Sequence, residues 1–247
     1  MFQKIQATHQ HPSELLEKYI NSYWIAYNPT QETIEVPIVP DGCIDIIYKN
    51  SKLFLSGLME FTQIVAIEPK DHYFGIQFKP YAVAMLLDED ISVFNDELIL
   101  LEGVNRDLTK ELQKIFEMDA KPYELMNDYF EKFFADKEVE FFVLEAIELI
   151  KTSHGNITVM ALCEKLGIHQ KRLERLFVAL VGVSPKKFAK IVRFHSTHRV
   201  LSEEGMDNLS QKVLEKGYFD QAHFNRDFKK FTGVTPSSKL MSILYNT

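Results

Sequence analysis

The chain has 247 residues, of which 46% are hydrophobic and 26% charged, and its net charge is −7. No apolar run approaches the roughly 20 residues of a membrane-spanning helix, and the N-terminus lacks the apolar core of a secretory signal. Cys43 and Cys163 are the only cysteines, which argues against a disulfide framework. These features predict a cytoplasmic globular protein with no membrane attachment, long enough for two domains with separate cores.

The first 80 residues change from helical to β-like spacing. Ser13 is a candidate N-cap, and the apolar residues of Leu15–Trp24 keep helical spacing, although Tyr23–Tyr27 alone would also suit a strand. From Thr33 onward, short β-rich runs are separated by turn sequences such as Pro-Asp-Gly. The runs cover residues 34–39, 43–48, 53–55, 63–67 and 73–78. This spacing predicts a small antiparallel barrel or curled sheet.

Helical patterns follow the last β-rich run. Pro80 begins a short helix over residues 81–87, and amphipathic stretches cover residues 104–116, 123–134 and 139–153. The predicted fold class is therefore α+β. It has an antiparallel, β-rich, barrel-like N-terminal domain with flanking helices, and an all-α C-terminal domain of seven helices.

A helix near the C-terminus has a related copy 51 residues earlier. Leu173, Leu176, Phe177 and Leu180 form the apolar stripe of Gln170–Val181, and Phe224, Phe228 and Phe231 form that of Gln221–Thr232. Each helix ends at a glycine, which is followed by valine, a hydroxyl residue and a proline that would begin the next helix. A shorter helix closed by glycine precedes each copy, over residues 159–166 and 209–216. Two helix-turn-helix units are therefore predicted.

The segment from Gly217 to Pro236 resembles the second helix-turn-helix of AraC-type transcription regulators, and the resemblance extends from about Val139 to the C-terminus. Short motifs in the first half, Pro40-Asp-Gly-Cys43 and Gly75-Ile-Gln-Phe-Lys-Pro80, resemble a sensor-like domain found on some of these regulators. The family usually has glycine where this chain has Tyr81, a bulkier residue that could narrow an opening beside the motif. The resemblance implies two recognition helices that enter successive major grooves of DNA.

The outward faces of the two repeated helices supply the candidate DNA-binding residues. They are Gln170, Lys171, Glu174 and Arg175 in the first unit, and Gln221, Ala222, Asn225, Arg226 and Lys229 in the second. Arg175 and Arg226 occupy the same position of the repeat, so we expect them to contact phosphate or a base common to both half-sites. The residues that differ between the copies are better placed to distinguish the half-sites.

Charge is divided between the two halves in a way that fits DNA binding by one of them. Residues 139–247, the predicted DNA-binding domain, carry 16 Lys and Arg against 11 Asp and Glu, a balance of +5. Residues 1–138, the predicted acidic sensor or dimerisation domain with a helical linker, carry 12 against 24, a balance of −12. A basic module joined to an acidic one is expected when only one of them meets phosphate.

The first half shows little sign of catalytic chemistry. Cys43 has no histidine nearby in sequence and suits a small buried core residue. His9 and His11 precede the first predicted strand in what looks like a mobile terminus, and with His72 they make a poor catalytic metal site. Nucleotide-binding and nucleophile-elbow motifs are absent from the sequence. No cofactor, metal or enzymatic activity is predicted.

Six aromatic residues of the first half leave two interpretations open. Tyr19, Tyr23, Trp24, Tyr48, Tyr73 and Phe78 could line a ligand pocket, but the core of a small barrel is the favoured interpretation.

The sequence thus predicts a bacterial AraC-family regulator that binds double-stranded DNA. A small-molecule effector, RNA polymerase and a second copy of the chain are further partners that the resemblance allows. Two alternatives remain. One is a ligand-binding or catalytic barrel whose helices bind protein partners, and the other is a constitutive regulator whose first half only dimerises.

Overall fold

The computed structural model describes residues 5–118 and 122–236. The N-terminal half contains eight β-strands in these residues. They are β1 (Gln6–Gln10), β2 (Ile20–Tyr27), β3 (Ile34–Ile38), β4 (Ile44–Lys49), β5 (Lys52–Ser56), β6 (Gln63–Ile67), β7 (His72–Phe78) and β8 (Leu98–Leu100).

Helices follow the sheet and make up the C-terminal half. In the part of the chain described, they are α1 (Pro80–Leu87), α2 (Arg106–Met118), α3 (Tyr123–Phe134), α4 (Phe141–Thr152), α5 (Val159–Leu166), α6 (Gln170–Val181), α7 (Pro185–Glu204), α8 (Leu209–Glu215) and α9 (Gln221–Thr232). This order confirms the predicted α+β class. The further helix predicted to begin at Pro236 lies outside the described residues.

The strands form two antiparallel sheets. Six strands pair in the order β1-β2-β7-β4-β5-β8, and β3 pairs with β6 in a separate two-stranded sheet. The five predicted β-rich runs correspond to β3–β7, so the alternating pattern located them correctly.

The helix predicted over Leu15–Trp24 is wrong. Only Glu14–Leu16 makes a 3-10 turn, and β2 begins at Ile20. In β2, Tyr23 lies opposite Ile76 of β7. Aromatic and β-branched side chains pack well against cross-strand neighbours, so pairing with β7 overrides the local helical spacing.

The segment around His9 is a strand and not the mobile terminus that was predicted. His9 lies opposite Trp24 in the β1–β2 pair, and its Nδ1 is 3.4 Å from Ser22 Oγ. All five side chains of β1 are exposed, so the strand is held by backbone pairing and carries no apolar pattern that would reveal it. The described residues contain no group of three His, Cys, Asp or Glu side chains placed to hold a metal ion.

The six aromatic residues of the first half are divided between the two faces of the large sheet. Tyr19, Tyr23 and Phe78 are buried in the core, where the Tyr19 ring stacks on Phe134 of α3 at 4.0 Å. Trp24 faces away from that core, because neighbouring strand residues point to opposite faces. The core interpretation is therefore correct for Tyr19, Tyr23 and Phe78.

Tyr81 is another core residue. It is fully buried in the first turn of α1, and its hydroxyl donates a hydrogen bond to the Lys18 carbonyl oxygen. It therefore fills the core and does not narrow an opening, contrary to the expectation from the motif.

The two halves pack together through one continuous hydrophobic core. Helix α6 lies against α1 and against a 3-10 turn, Ile91–Phe94. The Phe188 ring of α7 sits over Gly42, where an added Cβ would come within 3.0 Å of the ring. The division at residues 138 and 139 stays a prediction.

None of the helices in residues 5–118 and 122–236 is long and apolar enough to cross a bilayer.

Candidate nucleic-acid interface

The first helix-turn-helix unit is built from α5 and α6. Thr158 caps α5 by accepting a hydrogen bond from the Ala161 backbone N–H at 3.1 Å. Gly167 follows α5 with φ +63°, a left-handed conformation that glycine adopts without a side-chain penalty and that turns the chain into α6. Gly182 ends α6 in the same conformation, as the sequence predicted.

The second unit repeats this construction with α8 and α9. Asp220 caps α9 by accepting a hydrogen bond from the His223 backbone N–H at 2.6 Å. Gly217 has φ +82°, and a Cβ there would lie 1.9 Å from the Asn156 side-chain oxygen. Asn156 donates to the Lys216 carbonyl oxygen at 3.0 Å, so this turn also contacts the loop before the first unit.

Helix α6 presents most of its predicted DNA-binding residues to solvent. Gln170, Lys171 and Arg175 are exposed, while Glu174 is half-buried and its Oε1 accepts a hydrogen bond from Gln170 Nε2 at 2.8 Å. The buried stripe differs slightly from the prediction. Leu173 and Phe177 are fully buried, but Leu176 and Leu180 are only partly covered and Val181 completes the stripe.

Helix α9 places four of its five predicted residues outward. Gln221, Ala222, Arg226 and Lys229 are exposed. Asn225 is half-buried, and its Oδ1 is shielded from solvent with no hydrogen-bond donor in the described structure, so the prediction that it points outward is only partly correct.

Aromatic packing fixes α9 against α7. Phe224, Phe228 and Phe231 are buried, as predicted. The Phe231 ring stacks on Phe194 of α7 at 4.5 Å, and the Phe228 ring lies 6.0 Å from it.

Arg193 and Asp227 form a buried ion pair that sequence reasoning missed. Arg193 Nη2 on α7 lies 2.9 Å from Asp227 Oδ2 on α9, with side-chain exposures of 13% and 9%. The guanidinium group also lies 4.6 Å from the centre of the Tyr218 ring, in the turn before α9. Burial raises the pKa of Tyr218 to about 12, so its hydroxyl stays protonated at neutral pH. Arg193 therefore connects α7, the linking helix between the two units, to the second unit.

A cluster of polar side chains around Asp45 lies on the sheet face opposite the core. The Trp24 indole N–H donates to Asp45 Oδ1 at 2.7 Å, and Gly75 leaves the space in which the Trp24 ring lies. Burial, followed by the charge of nearby Asp41, raises the pKa of Asp45 to about 8. Cys43 lies beside it with its pKa well above the usual range, chiefly through burial, which favours the predicted structural role of that thiol over a nucleophilic one.

The raised pKa of Asp45 predicts a pH-dependent stability. An unfolded Asp titrates near pH 4, so between about pH 4 and pH 8 the folded state holds a proton that the unfolded state has lost. The protonated Asp45 carboxyl therefore stabilises the folded state at low pH, and this stabilisation is lost as pH rises from about 4 to about 8. Asp45→Asn keeps an acceptor for Trp24 and removes the titration. We expect the difference in melting temperature, variant minus wild type, to increase from pH 5 to pH 8 in thermal melts. A difference that is constant with pH would contradict the shifted pKa.

Comparison with known proteins assigns families to both halves. Residues 162–240 match a family described as a helix-turn-helix domain, and residues 8–100 match a domain of unknown function, DUF6597. The raffinose operon transcriptional regulatory protein RafR of Pediococcus pentosaceus is 30% identical over 108 residues, which are 43% of this chain and 38% of that protein. The chain thus aligns with well under half of that curated relative, a transcriptional regulatory protein.

Solved structures of ToxT from Vibrio cholerae are similar over most of their length. An apo variant has a TM-score of 0.49 at 13% identity, with 91% of this chain and 98% of that chain covered. A form with bound unsaturated fatty acid has a TM-score of 0.47 at 14% identity, with 90% and 95% covered. At such scores the likeness carries no argument about function. Residues 162–240 therefore belong to a helix-turn-helix domain family, and the similarity to RafR and the repeated motif that ends in a hydroxyl residue and proline agree with the resemblance of this half to AraC-type transcription regulators.

Proposed function

We propose that this protein is a sequence-specific DNA-binding regulator that inserts α6 and α9 into successive major grooves. The observation that carries the proposal is the pair of exposed helix faces on either side of α7, each with an arginine at the same position of the repeat. Helix α7 has 20 residues, which corresponds to about 30 Å at 1.5 Å per residue. That length suits two helices entering grooves about 34 Å apart on one side of the duplex.

The two helices would divide the work of recognition. Arg175 and Arg226 are proposed to make the contact common to both half-sites, either to phosphate or bidentate to guanine. Lys171 on α6 corresponds to Ala222 at the matching position of α9, and this difference would let the protein distinguish the half-sites. Half-buried Asn225 is a weaker candidate for base contact than the exposed residues around it.

Control by the N-terminal half is supported by its contacts with both helix-turn-helix units. Asn95 Nδ2 donates to the Gly182 carbonyl oxygen at the end of α6, at 2.8 Å. The Thr62 N–H donates to the Phe231 carbonyl oxygen in the last turn of α9, at 2.6 Å. A movement of the segments around Thr62 and Asn95 would therefore reach the ends of both DNA-contacting helices. We propose these two contacts as the route by which an effector, or dimer formation, would act on DNA binding.

A third contact joins the N-terminal half to the helix between the two units. Glu60 forms an ion pair with Lys187 in the first turn of α7. The Glu60 backbone N–H is in turn held by the Asp96 carboxylate at 2.7 Å. This contact lies in the same loop as Thr62, so one segment of the N-terminal half meets α7 and α9 together.

The test is binding of the full-length chain to a genomic DNA pool at increasing salt. We expect affinity to fall steeply between about 50 and 200 mM salt, because phosphate neutralisation releases counterions. Arg175→Ala and Arg226→Ala should each weaken binding to a selected site by about 1–3 kcal/mol with unchanged thermal melts. Arg106→Ala, at an exposed position on α2, is the matched control and should leave binding unchanged.

Folded full-length protein without salt-dependent binding to any DNA in the pool would refute this function. That result would favour the alternative in which the helical half serves protein partners of a ligand-binding barrel.

A further inference from the structure

A groove of about 430 Å³ lies between the first helix-turn-helix unit and α7. Its walls come from the start of α5, the first turns of α6 and one side of α7. The residues that matter for its chemistry are Thr158, Gln170, Glu174, Lys186, Lys190 and Arg193. Gln170 and Glu174 belong to the proposed base-reading face of α6, so the groove opens beside that face.

The α7 wall of the groove carries uncompensated positive charge. Lys186, Lys190 and Arg193 are spaced i, i+4 and i+7 along one face of the helix. Arg193 is neutralised by Asp227. Within the described residues, the Lys186 and Lys190 side chains make no ion pair or hydrogen bond, although their neighbour Lys187 is paired with Glu60. Two free ammonium groups therefore face a groove with one carboxylate, that of Glu174.

The opposite wall is also electropositive. Helix α5 begins at Val159, and Thr158 satisfies only the Ala161 N–H among the first backbone donors of this helix. The remaining N–H groups of the first turn have no acceptor within the helix, and the helix dipole adds partial positive charge at this end. The groove thus offers an anion two lysine side chains from α7 and backbone donors from α5.

We propose that this groove binds a DNA backbone phosphate in the segment between the two half-sites, with Lys186 and Lys190 as its ligands. The inference rests on the proposed function, because it assumes that α6 and α9 contact one duplex. If they do, the backbone between the two major grooves passes over the side of α7 that lies between them. A phosphodiester has the matching charge, and its contacts contribute affinity without reading sequence.

The experiment compares full-length wild type with the Lys186→Ala/Lys190→Ala double variant on a site selected by the wild-type protein. Loss of the site for this one phosphate should reduce the slope of log affinity against log salt by about 0.9. Affinity should fall about tenfold or more at low salt, and the sequence selected from a randomised site should stay the same. Lys52→Ala/Lys132→Ala removes the same charge from exposed positions of the N-terminal half and should change neither slope nor affinity.

A Lys186→Arg/Lys190→Arg variant keeps both charges and should retain the wild-type slope, which separates a charge effect from a loss of folding. If the alanine variant melts like wild type and keeps the full salt slope, the groove does not hold phosphate, although the proposed function stands. A changed consensus sequence would show that the lysines read bases, which also overturns the inference. If wild type itself shows no salt-dependent binding, the proposed function fails first.

Discussion

Phe228→Ala is expected to lower the free energy of unfolding by about 3–5 kcal/mol, the usual cost of truncating a buried phenylalanine. The Phe228 ring is fully buried and lies 5.5 Å from Phe224 and 6.0 Å from Phe194 of the linking helix. Removing it leaves a cavity where α9 meets α7. The outward face of α9 would then lose its fixed orientation, and binding to a two-part site should be lost. Thermal melts and binding to full and half sites measure both effects.

Arg226→Ala is the matched control, two residues earlier on the same helix. Arg226 is exposed and has no ion-pair partner among the described residues, so this variant should melt like wild type while its DNA binding weakens. The first unit has its own buried residues, Leu173 and Phe177, and should keep weak half-site binding in both variants. If Phe228→Ala melts like wild type, the placement of α9 against α7 is wrong.

Asp227→Ala is expected to destabilise the second unit by a similar amount, about 3–5 kcal/mol, because it leaves the buried Arg193 guanidinium without its counter-ion. Asp227→Asn keeps a hydrogen-bond acceptor and should cost less. Both variants lie on the inner side of α9, so DNA binding should weaken only as far as the unit unfolds. Chemical denaturation gives the stability, and binding at a temperature well below the melt separates the two effects.

A paired replacement tests whether the loss comes from the unpaired charge. Arg193→Met with Asp227→Leu removes both charges and fills similar volume, and such replacements are often neutral or stabilising. Methionine also keeps contact with the Tyr218 ring. The double variant should therefore recover most of the stability that Asp227→Ala loses. If Asp227→Ala alone melts like wild type, the ion pair does not anchor α9.

The helices of the C-terminal half could be predicted from sequence because the features that define them are local. Gln170–Val181 and Gln221–Thr232 form with the predicted ends. Their limits follow from apolar spacing of 3.6 residues, a polar residue before the first turn and a glycine after the last. The same spacing decides which side chains point outward, so it placed Arg175 and Arg226 on the solvent face.

Local spacing could not predict features that depend on partners distant in the chain. β1 carries exposed side chains and exists because its backbone pairs with β2. Helical spacing at Tyr23 was overridden by pairing with β7, which lies about 50 residues later.

The ion pair and the charged groove between the helices could not be predicted from the sequence either. Asp227 looked like one more charged residue on a polar helix until α7 brought Arg193 within 2.9 Å of it. Lys186 and Lys190 became a candidate phosphate site only because α5 and α6 close the groove beside them. The sequence thus determined which segments become helices and which of their faces are polar. Tertiary packing alone decided which polar groups are paired, which remain free, and how the N-terminal half contacts the ends of α6 and α9, because these depend on contacts between residues far apart in the chain.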